Sequence, residues 1–127
     1  MLMKNVGLFV KDLEGARKFF EDYFHMTIHA TWNEEANNYY SYIMRFDNPD
    51  GGRIELMSKP GIIDDPKDPN RTGWAHICIK VDSKEEFDRI NAKTHEDGYR
   101  ILYEPATVGG QEMRAVMFEN NVIEVLY

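Results

Sequence analysis

The sequence predicts an α+β fold built from two copies of a βαβββ module. The first observation is an order of elements that occurs twice: in each half a strand-like alternation leads into a helical pattern and then into three strand-like segments. The second is an apolar–glutamate–apolar triplet near the end of each half, around Glu55 and around Glu124. Asn5 and His76, which open the two halves, are 71 positions apart, and the two glutamates are 69 apart. A nearly constant offset is the signature of a repeated structural unit.

The first module begins with a strand over residues 4–10, because apolar side chains alternate there. Asp12 is predicted to cap a helix over residues 13–24 by accepting a backbone N–H. The apolar residues of this helix recur at helical spacing and should form a buried stripe; they are Leu13, Ala16, Phe19, Phe20 and Tyr23. Three strands are predicted to follow, over about 26–33, 38–47 and 52–58, with the last turn at residues 50–52.

The second module repeats this order. A strand containing His76 and Cys78 precedes a helix whose start is marked by Ser83 and Glu86, the two partners of a capping box. Gly98 ends the helix, since glycine adopts positive φ freely. Three strands are predicted over about 99–104, 113–119 and 122–127, with the last turn at residues 120–121.

The length of 127 residues predicts a single domain over 1–127. Module one is expected over about 1–58 and module two over about 74–127. Residues 59–73 contain three of the five prolines and few apolar side chains, which predicts a linker.

The composition excludes several classes of function. The net charge is −7 and no basic run occurs, whereas nucleic-acid binding requires a concentrated basic surface. No apolar run approaches the roughly 20 residues that a membrane-spanning helix needs. The one cysteine, Cys78, cannot form an internal disulfide and suits a reducing compartment. We therefore expect a cytoplasmic protein with no nucleic-acid or membrane partner.

The candidate functional residues are polar groups in otherwise apolar strands. Glu55 and Glu124 each lie between two aliphatic residues, so each points away from the apolar side of its strand. Such a glutamate usually faces solvent, but a buried one needs a cation or a partner. A pseudo-twofold between the modules would bring Glu55 to Glu124 and Asn5 to His76, so that four polar groups converge on one concave surface.

Four segments resemble the vicinal-oxygen-chelate superfamily, which includes glyoxalase I and bleomycin-resistance proteins. They are VGLFVKDLE at 6–14, FFEDYF at 19–24, RIELMSKP at 53–60 and GWAHI at 73–77. The resemblance covers essentially the whole chain. It implies paired βαβββ modules that form a curved mixed sheet around a metal or ligand cavity, and a homodimer.

The resemblance also implies a metal site formed by Asn5, Glu55, His76 and Glu124. Members of this superfamily usually have histidine or glutamine at the first position, so Asn5 is a departure with a shorter, neutral donor. The implied cofactor is a divalent ion (Ni, Zn, Co, Mn or Fe). The implied activity is that of a lactoylglutathione lyase-like lyase or isomerase, in which a small substrate with adjacent oxygens passes through an enediolate. Glu124 is the expected base, and Glu55 is the alternative.

Other functions stay open at this stage. Asn5 favours a metal-free small-molecule binder of the bleomycin-resistance type, with a pocket lined by Phe9, Trp32, Tyr39, Tyr40, Tyr42 and Trp74. An extradiol dioxygenase needs a second histidine, which Asn5 replaces. A phosphonate-binding transferase needs a cationic pocket; Arg45, Arg53 and Arg114 are available, but the sequence shows no cluster of them. Cys78 is expected to be a small buried hydrophobe rather than a nucleophile.

Overall fold

The computed structural model describes residues 1–66, 68 and 70–127, and they form two compact units, Met1–Asp64 and Asp65–Tyr127. The boundary lies within the predicted linker, of which residues 67 and 69 lie outside the described residues. Each unit contains one helix and one four-stranded mixed sheet, which confirms the predicted fold class. Among the described residues, no helix is long and apolar enough to cross a membrane.

The first unit contains five main elements and one 3₁₀ turn at Glu35–Asn37. They are β1 (Val6–Phe9), α1 (Leu13–Phe24), β2 (Thr27–Glu34), β3 (Tyr39–Arg45) and β4 (Arg53–Ser58). The strand order is β1-β4-β3-β2, with β1 parallel to β4 and the other pairs antiparallel. The chain therefore crosses from β1 to the far edge of the sheet through α1 and returns strand by strand.

The second unit repeats this topology with the order β5-β8-β7-β6. Its elements are β5 (Ile77–Lys80), α2 (Lys84–Asp97), β6 (Ile101–Val108), β7 (Gln111–Phe118) and β8 (Asn121–Leu126). The central strand β8 pairs in parallel with β5, as β4 does with β1. The repeat inferred from the sequence is therefore a repeat of strand order and strand direction.

The predicted helix boundaries are confirmed at both helices. The Asp12 side chain accepts a hydrogen bond from the Gly15 N–H at 2.9 Å, and Ser83 accepts one from the Glu86 N–H at 3.1 Å. Each bond satisfies a backbone donor that has no partner inside the helix. Gly98 ends α2 in the left-handed conformation, with φ 74°.

Two hairpins differ from the prediction. Strands β6 and β7 extend further toward each other than expected, because Gly109 and Gly110 both adopt positive φ and close a tight turn between them. Two positive-φ residues suit the right-handed twist of a two-residue hairpin. The turn before β8 lies one residue earlier than predicted, at residues 119–120, and Glu119 takes a φ of 51°.

The core of the first unit lies between α1 and one face of its sheet. The buried residues of α1 are Ala16, Phe19, Phe20, Tyr23 and Phe24, while Leu13 of the predicted stripe is half-buried. Met44, Ile54 and Leu56 are buried on the sheet and alternate with Ile43 and Glu55, which are only half-buried. Because the pleat sends successive side chains to opposite faces, Glu55 lies on the face turned away from α1.

The core of the second unit contains a buried cation. Arg114 of β7 is completely buried, and its guanidinium donates a hydrogen bond to the Asn91 side-chain oxygen of α2. Arg114 is paired with Val125, a buried neighbour of Glu124, so the arginine and Glu124 lie on opposite faces of the sheet. Arg114 is therefore not available to a cationic pocket on the Glu124 face of this sheet.

Candidate metal site

The first unit brings two of the predicted ligands together. Asn5 immediately precedes β1, and the register of β1 with β4 sets Gly7 beside Glu55. Asn5 shares a face with Gly7, since the two residues are two positions apart along the chain. The Asn5 Nδ2 donates a hydrogen bond to the Glu55 Oε2 at 2.7 Å. The amide thus reaches the carboxylate despite its short arm, and its Oδ1 is left as a donor atom for a cation.

The second unit brings the other two predicted ligands together in the same way. His76 immediately precedes β5, and Cys78 of β5 is paired with Glu124 of β8. The His76 Nε2 lies 3.2 Å from the Glu124 Oε2, and the two side chains are 42% and 13% exposed. Each unit therefore presents a carboxylate of its central parallel strand next to a side chain that precedes its first strand.

Tyr103 contacts Glu124, although the sequence pattern did not predict it as a site residue. Its hydroxyl donates a hydrogen bond to the Glu124 Oε1 at 2.7 Å. Burial raises the pKa of Tyr103 to about 12, and the hydrogen bond to Glu124 and its charge act in the same direction. Tyr103 therefore holds one oxygen of Glu124, and the other oxygen lies beside the His76 imidazole.

The pairing of β6, β7 and β8 is the feature that would have revealed Tyr103. Ala115 of β7 is paired with both Tyr103 and Glu124, so the tyrosine and the glutamate share one face two strands apart. That inference needs the register of β6 with β7, which shifts between Ile101 and Tyr103 and again before Ala106. Alternation alone cannot locate such irregularities in a single sequence.

Tyr103→Phe is expected to remove a pH dependence of stability between about pH 10 and pH 12. The pKa of Tyr103 is raised in the folded state, from an ordinary value of 10.0 to about 12. Its stabilising contribution is therefore complete below pH 10 and is lost as the pH rises toward 12. The measurement is urea unfolding across this range, together with the near-ultraviolet absorbance of tyrosinate.

Tyr40→Phe is the matched control for this comparison. Tyr40 is exposed and belongs to the first sheet, where it lies on the face opposite to Glu55. The tyrosine that titrates near pH 12 should persist in Tyr40→Phe and disappear in Tyr103→Phe. An unchanged alkaline titration in Tyr103→Phe would contradict the assignment.

The aromatic side chains that were predicted to line one pocket lie in three places: on the two faces of the first sheet and in the segment before β5. Phe9, Trp32 and Tyr39 share the Glu55 face of the first sheet, and Trp32 and Tyr39 make an edge-to-face contact at 5.4 Å. Burial raises the pKa of Tyr39, and the charge of Glu55 adds to this effect.

Tyr40 and Tyr42 lie on the other face of the first sheet, where the Tyr42 hydroxyl donates a hydrogen bond to Glu14 of α1. Trp74 is 81% exposed in the segment before β5.

Cys78 is exposed, which makes the expectation of a buried hydrophobe wrong. The reason is its position on the Glu124 face of β5, away from α2, while its neighbour Ile79 is buried. Burial of part of the thiol and the charge of Glu124 raise the pKa of Cys78. A raised pKa disfavours the thiolate, so the structure does not favour a nucleophilic cysteine.

The donor atoms in the two units fit a divalent cation in chemical type. One unit offers a carboxylate and an amide oxygen, and the other offers a carboxylate and an imidazole nitrogen. Such oxygen and nitrogen donors suit first-row divalent ions. In the part of the chain that the structure describes, no group of three histidine, cysteine, aspartate or glutamate side chains is arranged to hold one metal ion.

Comparisons with known proteins agree with the repeat and the topology. The family model for the "Glyoxalase/Bleomycin resistance protein/Dioxygenase superfamily" matches residues 3–122. A search of curated proteins found no match.

Solved structures with the same fold cover nearly the whole chain. A glyoxylase/bleomycin resistance protein/dioxygenase domain from Frankia sp. is 17% identical, with a TM-score of 0.81 over 99% of this chain and 96% of that one. The trypanothione-dependent glyoxalase I of Leishmania major is 21% identical, with a TM-score of 0.77 over 99% and 86%. A mutant of the fosfomycin resistance protein FosX from Listeria monocytogenes, complexed with Mn(II) and a dihydroxypropylphosphonic acid, is 16% identical, with a TM-score of 0.72 over 97% and 89%.

Proposed function

Because this chain belongs to the glyoxalase/bleomycin resistance protein/dioxygenase superfamily, we propose that it is a divalent-metal-dependent lyase or isomerase. Its substrate would be a small molecule with oxygen atoms on adjacent carbons. The observation that carries the proposal is the pair of matching contacts, Asn5 with Glu55 and His76 with Glu124, at equivalent places in the two units. Two carboxylates at repeat-related positions, each on the face of its sheet that is turned away from the helix, have no evident use in a protein that only binds an apolar ligand.

In this proposal one divalent ion is held by Glu55, His76 and Glu124, with the Asn5 Oδ1 or a water molecule completing the ligand set. When bound, such an ion acts as a Lewis acid that polarises the substrate oxygens and makes the neighbouring carbon more acidic.

Glu124 is the base that we propose for moving the proton between the two carbons. Its side chain is only 13% exposed, so water competes weakly for its oxygens. The Tyr103 hydroxyl holds Oε1 at 2.7 Å and orients the carboxylate, which leaves Oε2, beside His76, to accept the proton. A positioned carboxylate of this kind contributes about 10²–10⁴-fold to a proton-transfer rate.

The test is an activity assay with the methylglyoxal–glutathione hemithioacetal, using protein freed of metal by a chelator and then reloaded separately with Ni²⁺, Co²⁺, Mn²⁺ or Zn²⁺. We expect turnover only after reloading, with at least one of these ions. Glu124→Gln should lower that rate about 100-fold or more, since an amide cannot accept the proton. Equal turnover before and after metal removal would contradict the proposal.

A metal-free small-molecule binder is the second candidate. The observation that favours it is the aromatic surface of Phe9, Trp32 and Tyr39 on the Glu55 face, together with the neutral Asn5 at the first ligand position. Binding of planar apolar compounds by chelated protein, with no effect of any metal ion on thermal stability, would favour this candidate over the enzyme.

A further inference from the structure

A cluster of cationic side chains lies at one end of the first sheet. Arg45 of β3 and Arg53 of β4 are directly opposite each other in the antiparallel register. Side chains at such positions lie on the same face with their Cβ atoms about 5 Å apart, and like charges there repel. Two positions further along the strands, Ile43 is paired with Glu55, so the two arginines lie on the Glu55 face.

Neither arginine has a carboxylate partner within the described ranges 1–66, 68 and 70–127. Arg17 and Lys18 of α1 form ion pairs with carboxylates of their own helix, whereas within the described residues no hydrogen bond joins Arg45 or Arg53 to another side chain. The loop that connects β3 and β4 contains Asp47 and Asp50, but neither forms an ion pair with the arginines. This is unusual in a chain with 22 acidic and only 15 basic residues.

His29 shows that the positive field extends to the edge strand. It lies at an irregularity of β2, between Ile28 and Ala30, where the register with β3 shifts. The pKa of His29 is lowered chiefly by the charge of Arg53, then by burial, and then by the charges of Arg45 and Lys4. Three cations from three segments of the chain therefore act on one exposed histidine.

Two opposed, unpartnered arginines have a cost that a bound anion would remove. A guanidinium presents a planar fork of donors that matches the oxygens of a carboxylate or a phosphate, and two such forks can bind one anion together. Arg53 is half-buried, so its attraction for an anion is screened less than that of a fully exposed side chain.

We propose that Arg45 and Arg53 form a binding site for an oxyanion group, carried by a carboxylate or a phosphate, on the Glu55 face of the first sheet. The site requires no metal ion. Arg53 and Glu55 are two positions apart on β4, a separation of roughly 7 Å along a strand. The anion site does not depend on the proposed function. If that function also holds, the substrate has an anionic group roughly 7 Å from its reacting oxygens.

The test is a titration of chelated, metal-free protein with inorganic phosphate and, separately, with malonate at low ionic strength, followed by calorimetry. We expect saturable binding of at least one anion. Arg45→Gln and Arg53→Gln should each weaken it about 5–10-fold, because each removes charge-assisted hydrogen bonds. Tighter binding of phosphate would identify a phosphoryl-bearing ligand, and tighter binding of malonate a carboxylate-bearing one.

Arg100→Gln is the matched control, since Arg100 is an exposed arginine of the second unit and its replacement changes the net charge equally. Binding within about twofold of the unmodified protein is expected for this variant. No saturable binding of either anion, or an equal loss in Arg100→Gln and Arg53→Gln, would overturn the proposal. Because no metal is present, this result is independent of whether the protein binds a divalent ion.

Discussion

Glu124→Gln is expected to weaken the binding of Co²⁺ at least about 10–100-fold, as measured by calorimetric titration of chelated protein. Losing only the hydrogen-bonding partner of a metal ligand lowers metal affinity by about that factor, and Glu124→Gln removes the charge of a proposed ligand itself. Glutamine has nearly the same shape, and its Oε1 can still accept the hydrogen bond from Tyr103 that Glu124 accepts at 2.7 Å. The change therefore tests the carboxylate charge with little disturbance of packing.

The chain offers a close control in Glu104→Gln. Glu104 of β6 has a histidine partner at the same distance as Glu124, since the His95 Nε2 lies 3.2 Å from the Glu104 Oε2. The Glu104 side chain is 58% exposed, and its histidine belongs to α2 rather than to the segment before β5. Metal affinity should be unchanged in Glu104→Gln. An equal loss in both variants would mean that the effect is one of overall charge and not of ligation.

Phe19→Ala is expected to lower the free energy of unfolding by about 3–5 kcal/mol. Phe19 is 2% exposed, and the centroid of its ring lies 4.5 Å from the ring centroid of Tyr23 and 5.2 Å from that of Phe20. Truncation would leave a cavity under α1 that these rings cannot fill without leaving their rotamers. The measurement is urea unfolding monitored by circular dichroism.

Leu102→Ala serves as the comparison for Phe19→Ala, because Leu102 is an apolar strand residue that is 48% exposed. Its truncation should lower the free energy of unfolding by less than about 1 kcal/mol. Since a domain of this size is stable by only about 5–15 kcal/mol, the difference between the two variants should be large. Similar losses in both would contradict the assignment of Phe19 to the core.

Local sequence signals predicted the helices of this fold well. Asp12, Ser83 and Gly98 end or begin helices through hydrogen bonds and φ angles that depend on a few neighbouring residues. The contacts of Asn5 with Glu55 and of His76 with Glu124 are of another kind, because they depend on the register of each parallel strand pair. The pairing that the repeat predicts, Glu55 with Glu124 and Asn5 with His76, stays a prediction.

The features that the sequence did not reveal depend on strand register. Tyr103 reaches Glu124 only because β6 is irregular, and Cys78 is exposed because α2 covers the other face of β5. Arg114 has a charged side chain of the kind found in binding sites, yet the pleat places it in the core beside Asn91. A shift of one residue moves a side chain to the opposite face, so such positions cannot be assigned from alternation alone.

The most direct test of the central claim is the stoichiometry of Co²⁺ binding in the unmodified protein, in Glu55→Gln and in Glu124→Gln. If the two pairs hold a single ion together, the unmodified protein binds one Co²⁺ per chain, and each variant loses most of its affinity for that ion. The claim is contradicted if no Co²⁺ binds. It is equally contradicted if two ions bind per chain and each variant loses only one of them, since the two pairs would then act separately.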